Sequence, residues 1–186
     1  PTRPDMVRHI PPADGTTSAA HAQLNRNKRS LALDLKKPGT PEVIHRLVAD
    51  FDIVLEQFRP GVMDRLGVGY DALREHNPAL IYCAITGYGQ SGPFRNRAGH
   101  DINYLALSGI SDASRRRGAA PVPWGIQVAD VAGGAHHAVM AILAAVVHRQ
   151  HSGEGQYLDV SMTDAVFAMQ AISGSSVLSG GESPAA

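Results

Sequence analysis

Alternating and continuous apolar runs divide the chain into a strand and helix series. Ser30-Leu31-Ala32-Leu33-Asp34-Leu35 alternates in the manner of a strand. Thr40 is placed to cap a helix, with Pro41 at its first position and Val43, Ile44, Leu47 and Val48 on one face. A second strand follows at Ile53-Val54-Leu55, a short helix over residues 70–76 stopped by Asn77-Pro78, and a third strand over residues 80–86. That alternation predicts an α/β fold, a Rossmann-like parallel sheet flanked by helices.

Beyond the third strand, a glycine-rich loop over residues 87–99 leads to a helix at Asp101–Ser108 and then to a loop or strand over residues 111–127. A long apolar helix is expected over residues 129–149, closed by Ser152-Gly153. A strand over residues 156–161 and a helix capped by Thr163 complete the series. Residues 1–27 are polar and turn-rich and read as an extended connection. The ordered domain is then expected over residues 28–173, with loop or linker over 174–186. The chain lacks an initiating Met and ends in loop-like composition, so it reads as part of a longer protein with a second domain.

At 186 residues and 44% apolar content the chain can bury a core. Seventeen basic and seventeen acidic residues cancel, so no global field draws it to nucleic acid, and an anionic ligand must be held locally. A lone cysteine, Cys83, lies in an apolar run and reads as a buried strand thiol in a reducing cytoplasm. The apolar stretch from residue 131 to 147 contains His136 and His137 and is shorter than the ~20 residues of a span, so it reads as a buried helix and not a membrane segment.

Gly87-Tyr88-Gly89-Gln90-Ser91-Gly92 matches the glycine pattern of dinucleotide sites, yet Pro93 and a charged segment follow where a helix should open. A tight turn is the stronger reading. His136 and His137 diverge by about 100° on a helix and cannot share a metal from one face, so no metal site is expected. Arg115-Arg116-Arg117 is left unassigned between a solvated loop, the commoner role of such a run, and a phosphate clamp. Arg59 and Arg65 flank residues 60–64 beyond a strand end, and Asp34 and Lys36 close the first strand, so two carboxyl ends offer ligand-binding side chains. His100 and Asp130 supply an imidazole and a carboxylate among glycines; taken singly, each has a bland reading as a helix-start residue. A carboxylate near a helix N-terminus is expected to favour its ionised form.

Asn27-Lys28-Arg29-Ser30 before Leu33-Asp34-Leu35-Lys36, then Glu56-Gln57-Phe58-Arg59-Pro60-Gly61-Val62, then Thr86-Gly87-Tyr88-Gly89-Gln90-Ser91-Gly92-Pro93, occur in one order. In that combination the sequence from Asn25 to about Asp164 resembles the family III CoA-transferases, and Gly99-His100-Asp101-Ile102-Asn103-Tyr104 resembles their alpha-methylacyl-CoA racemase branch. The resemblance implies that His100 and Asp130 are catalytic. It also implies that Leu33, Asp34, Leu35, Lys36, Gln57, Phe58, Arg59, Arg65, Gly99, Asp101, Ile102, Asn103 and Tyr104 contact a CoA thioester substrate.

By the same resemblance, no cofactor is permanently bound and the whole protein is an interlocked homodimer. A further catalytic glutamate would lie beyond residue 186. Racemisation of a 2-methylacyl-CoA ranks first, with an enolate oxygen taken by a backbone N–H near Gly133-Gly134. The alternatives are CoA transfer through an Asp130 acyl anhydride and a non-catalytic CoA-ester binding module.

Overall fold

The computed structural model describes residues 5–15 and 17–181. The chain forms two compact units, Pro1–Glu42 and Val43–Ala186. This division differs from the expected boundaries after residues 27 and 173.

In the first unit a 3-10 turn, Met6–His9, precedes a two-residue antiparallel pair, β1 (Ala13–Asp14) and β2 (Thr17–Ser18). Helix α1 (Ala19–Leu24) follows, and the Ser18 hydroxyl accepts from His21 N at 3.0 Å at its start. The segment expected to be wholly extended therefore contains a helix, because Ser18 satisfies one of its free amides. The strand expected at residues 30–35 does not form: no described strand pairs with it, and Leu31 stands 62% exposed. Asp34 instead closes a turn, its carboxylate accepting from Lys36 N at 3.1 Å and its carbonyl from Lys37 N at 3.0 Å. Its carbonyl also accepts from the Thr40 hydroxyl at 2.9 Å, at the start of helix α2 (Thr40–Val48).

The second unit is built on a three-stranded parallel sheet of β3 (Ile53–Glu56), β4 (Ile81–Thr86) and β5 (Tyr157–Ser161), in the order β3-β4-β5. Ile53 pairs with Ile81 and Tyr82 with Tyr157, so Glu56, Thr86 and Ser161 lie at the carboxyl ends. Between β3 and β4 come α3 (Val62–Arg65) and α4 (Tyr70–Arg74). Strand β4 is covered on both faces, which is why it reads as an unbroken apolar run. Tyr82 and Ala84 pack with Val48, Val68, Leu73 and Leu80 on one side, while Cys83 packs with Ala138 and Val160 on the other. Burial pushes the Cys83 thiol up to about 11, leaving it inert at neutral pH.

Between β4 and β5 lie α5 (Asp101–Ser108), α6 (Ile110–Ala113), a π-helical segment (Ala129–His136) and α7 (His137–Ser152). The region expected to be loop or strand from residue 111 thus begins in a short helix. The run Ala129–Ser152 has 24 residues and the length and apolarity of a membrane span, longer than expected. Nor is it a buried helix: Ala138 and Ala145 are buried, whereas Val139, Met140, Leu143 and Val147 are more than half exposed. Ala138, Ala145 and Ile142 face the sheet, while Val139, Met140, Leu143 and Val147 face outward. At its last turn Arg149 pairs with Asp52 at 3.0 Å and donates to Ala79 O at 3.2 Å, tying the helix to the chain entering β3 and β4.

Helices α8 (Met162–Ala168) and α9 (Ala171–Leu178) end the fold, so residues 174–178 are helical rather than loop. The cap of α8 is Ser161, whose hydroxyl accepts from Asp164 N at 3.2 Å. Thr163 is not the cap; its hydroxyl donates to Gly87 O at 2.7 Å, beside a backbone bond of 3.0 Å from Thr163 N. The π-helical segment lies close against α8 because Gly133 has no side chain: a Cβ there would stand 2.7 Å from Val166 Cγ1 and 3.0 Å from Met162 O. Gly133→Ala should cost about 1–3 kcal/mol in urea unfolding through overpacking, whereas Gly125→Ala, with open space around it, should stay within about 0.5 kcal/mol. Equal midpoints for the two variants would show that this glycine contact does not constrain the fold.

Candidate active site

A cavity of about 600 Å³ opens beyond the carboxyl ends of β3 and β4. Gln57, Phe58 and Arg59 enter it from the turn after β3, Gly99, His100 and Tyr104 from the start of α5, and Asp130 from the π-helical segment. The turn after β3 is shaped by Glu56, which is buried and accepts from Phe58 N at 2.6 Å. Burial raises the Glu56 carboxyl above its ordinary range, opposed by that hydrogen bond, with Asp64 adding to the rise.

Two glycines admit the Tyr104 ring. A Cβ at Gly99 would stand 2.6 Å from that ring and 2.8 Å from the Tyr88 hydroxyl, and a Cβ at Gly87 would also collide with the ring. Tyr104 meets Tyr88 edge to face at 5.2 Å, and Tyr88 meets Phe94 likewise at 5.8 Å. Arg97 covers Phe94, its guanidinium 4.4 Å from the ring centre. The glycine loop therefore makes an aromatic wall. Gly89 and Gly92 take left-handed backbone, and no helix begins until Asp101, which rules against a dinucleotide cradle.

The residues at the head of α5 divide their work. His100 is exposed at its N-cap, where its N–H donates to Asn103 Oδ1 at 2.9 Å. Asp101 turns inward, is 8% exposed, and accepts from Asp130 N at 2.9 Å. Ile102 points to solvent at 60% exposure. Asp101, Ile102 and Asn103 are thus absent from the cavity lining, although the sequence placed all three on the ligand. Arg65 is absent too and lies beside Gly61, where a Cβ would be 3.3 Å from its guanidinium. Leu33, Asp34, Leu35 and Lys36 belong to the first unit, as the turn described above.

Several wall residues escaped the sequence reading: Thr86, Tyr88, Arg95 and Arg97, with Leu55 and Met162 as apolar surface. The glycine loop was the available signal, but its arginines were weighed only against a dinucleotide helix. Thr86, at the end of β4, is buried and its hydroxyl has no hydrogen-bond partner among the described residues. Gly133 and Gly134 are buried in the contact with α8 and are not part of this wall, whereas Ala135 of the same segment is. His137 is occupied structurally, its Nδ1 2.7 Å from Ala132 O. No cluster of metal-ligating side chains occurs among the described residues.

The Asp130 carboxyl is raised above its ordinary 3.8, by burial first and by the Asp101 charge second, while His100 pulls it down. The helix start therefore does not leave Asp130 a strongly acidic group, contrary to the expectation from the dipole. A carboxyl that holds its proton more tightly folded than unfolded contributes stability below pH 3.8 and loses it as pH rises through the folded value. Asp130→Asn should therefore raise the unfolding midpoint at pH 7, with the gain vanishing below about pH 4. His100→Gln should move the Asp130 carboxyl titration, followed by ¹³C NMR, further upward; a downward move would contradict this electrostatic picture.

A family model described as CoA-transferase family III matches residues 1–186. The chain is 45% identical over 143 residues to human alpha-methylacyl-CoA racemase, covering 77% of this chain and 37% of that protein. It is 38% identical over 174 residues to a succinate–glutarate CoA-transferase of Agrobacterium fabrum, covering 92% of this chain and 43% of that protein. The crystal structure of a CAIB/BAIF family protein from Brucella suis superposes with a TM-score of 0.89 at 34% identity, over 97% of this chain and 49% of that one. The chain thus spans less than half the length of these relatives.

Proposed function

The chain belongs to CoA-transferase family III, and from that premise we propose that its complete gene product racemises 2-methylacyl-CoA thioesters. The observation that carries this reading is the meeting of His100 and Asp130 on one cavity, close enough for the imidazole to influence the carboxyl. A carbon α to a thioester is a weak acid, and inversion needs a base on one face and an acid on the other. Asp130 as carboxylate takes the α-proton and leaves an enolate; His100 as imidazolium delivers a proton to the opposite face, giving the epimeric thioester. The reverse direction exchanges the roles.

The raised Asp130 carboxyl suits this work, since a base nearer the operating pH also serves as an acid when the reaction runs backward. The developing enolate oxygen requires a donor. The unpartnered Thr86 hydroxyl on the same wall is the candidate, in place of the Gly133-Gly134 amides. Arg59, Arg95 and Arg97 give the cavity cationic groups for an anionic CoA ester, which a chain of zero net charge must hold locally. The substrate is an acyl-CoA, no further cofactor enters the chemistry, and the working form is a cytoplasmic homodimer.

CoA transfer is the second reading, favoured by the transferase relative that covers 92% of the chain. There Asp130 attacks the thioester carbonyl, the C–S bond breaks, CoA leaves as thiolate, and a mixed anhydride remains on Asp130.

The complete gene product, incubated with (2R)-2-methylacyl-CoA in deuterated water, should exchange the α-proton with inversion. His100→Ala and Asp130→Ala should each lower inversion by about 10²–10⁴-fold. Absence of exchange, together with Asp130-dependent movement of CoA to an added free acid, would replace the racemase by the transferase.

A further inference from the structure

Asp101 stands in the midst of a sequence segment assigned to ligand contact, yet it is turned away from the cavity. Its side chain is 8% exposed and accepts from the backbone N–H of Asp130 at 2.9 Å, joining positions 29 residues apart. Asp130 lies in the first turn of the π-helical segment, where backbone N–H groups lack partners within the helix. The next residue back along α5 is His100, itself held at the helix start by Asn103. The two groups on the cavity therefore sit on two helix starts, and Asp101 is the side chain that joins them.

We propose that Asp101 is a positioning residue, which fixes the start of the Asp130-bearing helix to the His100-bearing helix and so sets the relation of the two proton-transfer groups. This rests on the reading of His100 and Asp130 as the acid and base. The bond has two separable parts, an acceptor for the Asp130 amide and a negative charge close to the Asp130 carboxyl. Asp101 raises that carboxyl, second to burial, and His100 lowers it. The other groups facing this region are the Tyr104 hydroxyl, itself raised by burial and by neighbours that include Asp130, and the cavity cations Arg59, Arg95 and Arg97.

Asparagine and alanine separate the parts. Asp101→Asn keeps an oxygen acceptor and removes the charge, whereas Asp101→Ala removes both. In the complete gene product, hydrogen–deuterium exchange of the peptide spanning residues 127–131 should speed up in Asp101→Ala and stay near the parent in Asp101→Asn. This readout does not depend on turnover, so it tests the bond even if the wild type exchanges no α-proton, a result that would instead fail the racemase reading.

For α-proton exchange, Asp101→Ala should lower kcat roughly 10–100-fold with KM within about twofold, the signature of misplaced groups rather than lost binding. Asp101→Asn should retain most of kcat. For the epimer whose kcat/KM rises with pH as Asp130 ionises, Asp101→Asn should move that rise to lower pH, because the charge that favoured the protonated form is gone. A residue serving only general stability would not move it. The proposal is overturned if amide exchange at residues 127–131 is the same in Asp101→Ala and the parent, or if Asp101→Asn leaves the pH profile unmoved while losing as much activity as alanine. Should Asp101→Ala fail to fold, Asp101→Asn decides alone: a rise moved to lower pH supports the proposal, and an unmoved pH profile overturns it.

Discussion

A parallel sheet cannot close on itself by hairpins, and both its faces must be covered, so every strand returns through a helix and every carboxyl end emerges on one side. Strand β4 imposes that constraint here. Its neighbours pair in parallel on both edges, and successive side chains enter separate cores, Tyr82 and Ala84 on one face and Cys83 on the other. Glu56, Thr86 and Ser161 consequently end at one edge, and the turns leaving that edge supply the cavity walls. The candidate site is the outcome of sheet direction before it is the outcome of any individual side chain.

Precision at that edge comes from close approach. Gly87 and Gly99 leave room for Tyr104, and Gly133 lets the π-helical segment settle on Met162 and Val166. Thr163 meanwhile pins the Gly87 carbonyl from α8. π-helical turns inside longer helices are frequent at functional sites, and this one carries Asp130. The same arrangement costs stability, since burial and a neighbouring carboxylate hold Asp130 above its ordinary titration range. Asp130 is thus a carboxyl that the fold holds more comfortably protonated than the unfolded chain does.

Much of this was legible in the sequence wherever a signal was local. The α5 bounds, the three sheet strands and the buried character of Cys83 follow from apolar pattern and from Asn-Pro or glycine punctuation. What failed depended on partners distant in sequence. Leu31, Leu33 and Leu35 alternate as a strand would, but alternation without a pairing edge is satisfied by the Asp34 turn. Thr163 has the chemistry of a cap, but the Gly87 carbonyl 76 residues away occupies its hydroxyl while Ser161 caps. Motif resemblance could not show that the Asp101 carboxylate takes an amide 29 positions on. Helix α7 presents large apolar residues outward, and periodicity cannot say which face a neighbour will cover.

The central claim is that His100 and Asp130 address opposite faces of one carbon. The most direct measurement is epimer-resolved α-proton exchange by the complete gene product carrying His100→Asn, in deuterated water, with (2R)- and (2S)-2-methylacyl-CoA supplied separately. With only Asp130 left to act as base, one epimer should wash its proton into solvent with retention while the other stays silent and neither inverts. Equal exchange of both epimers, or continued inversion, would contradict the two-sided arrangement.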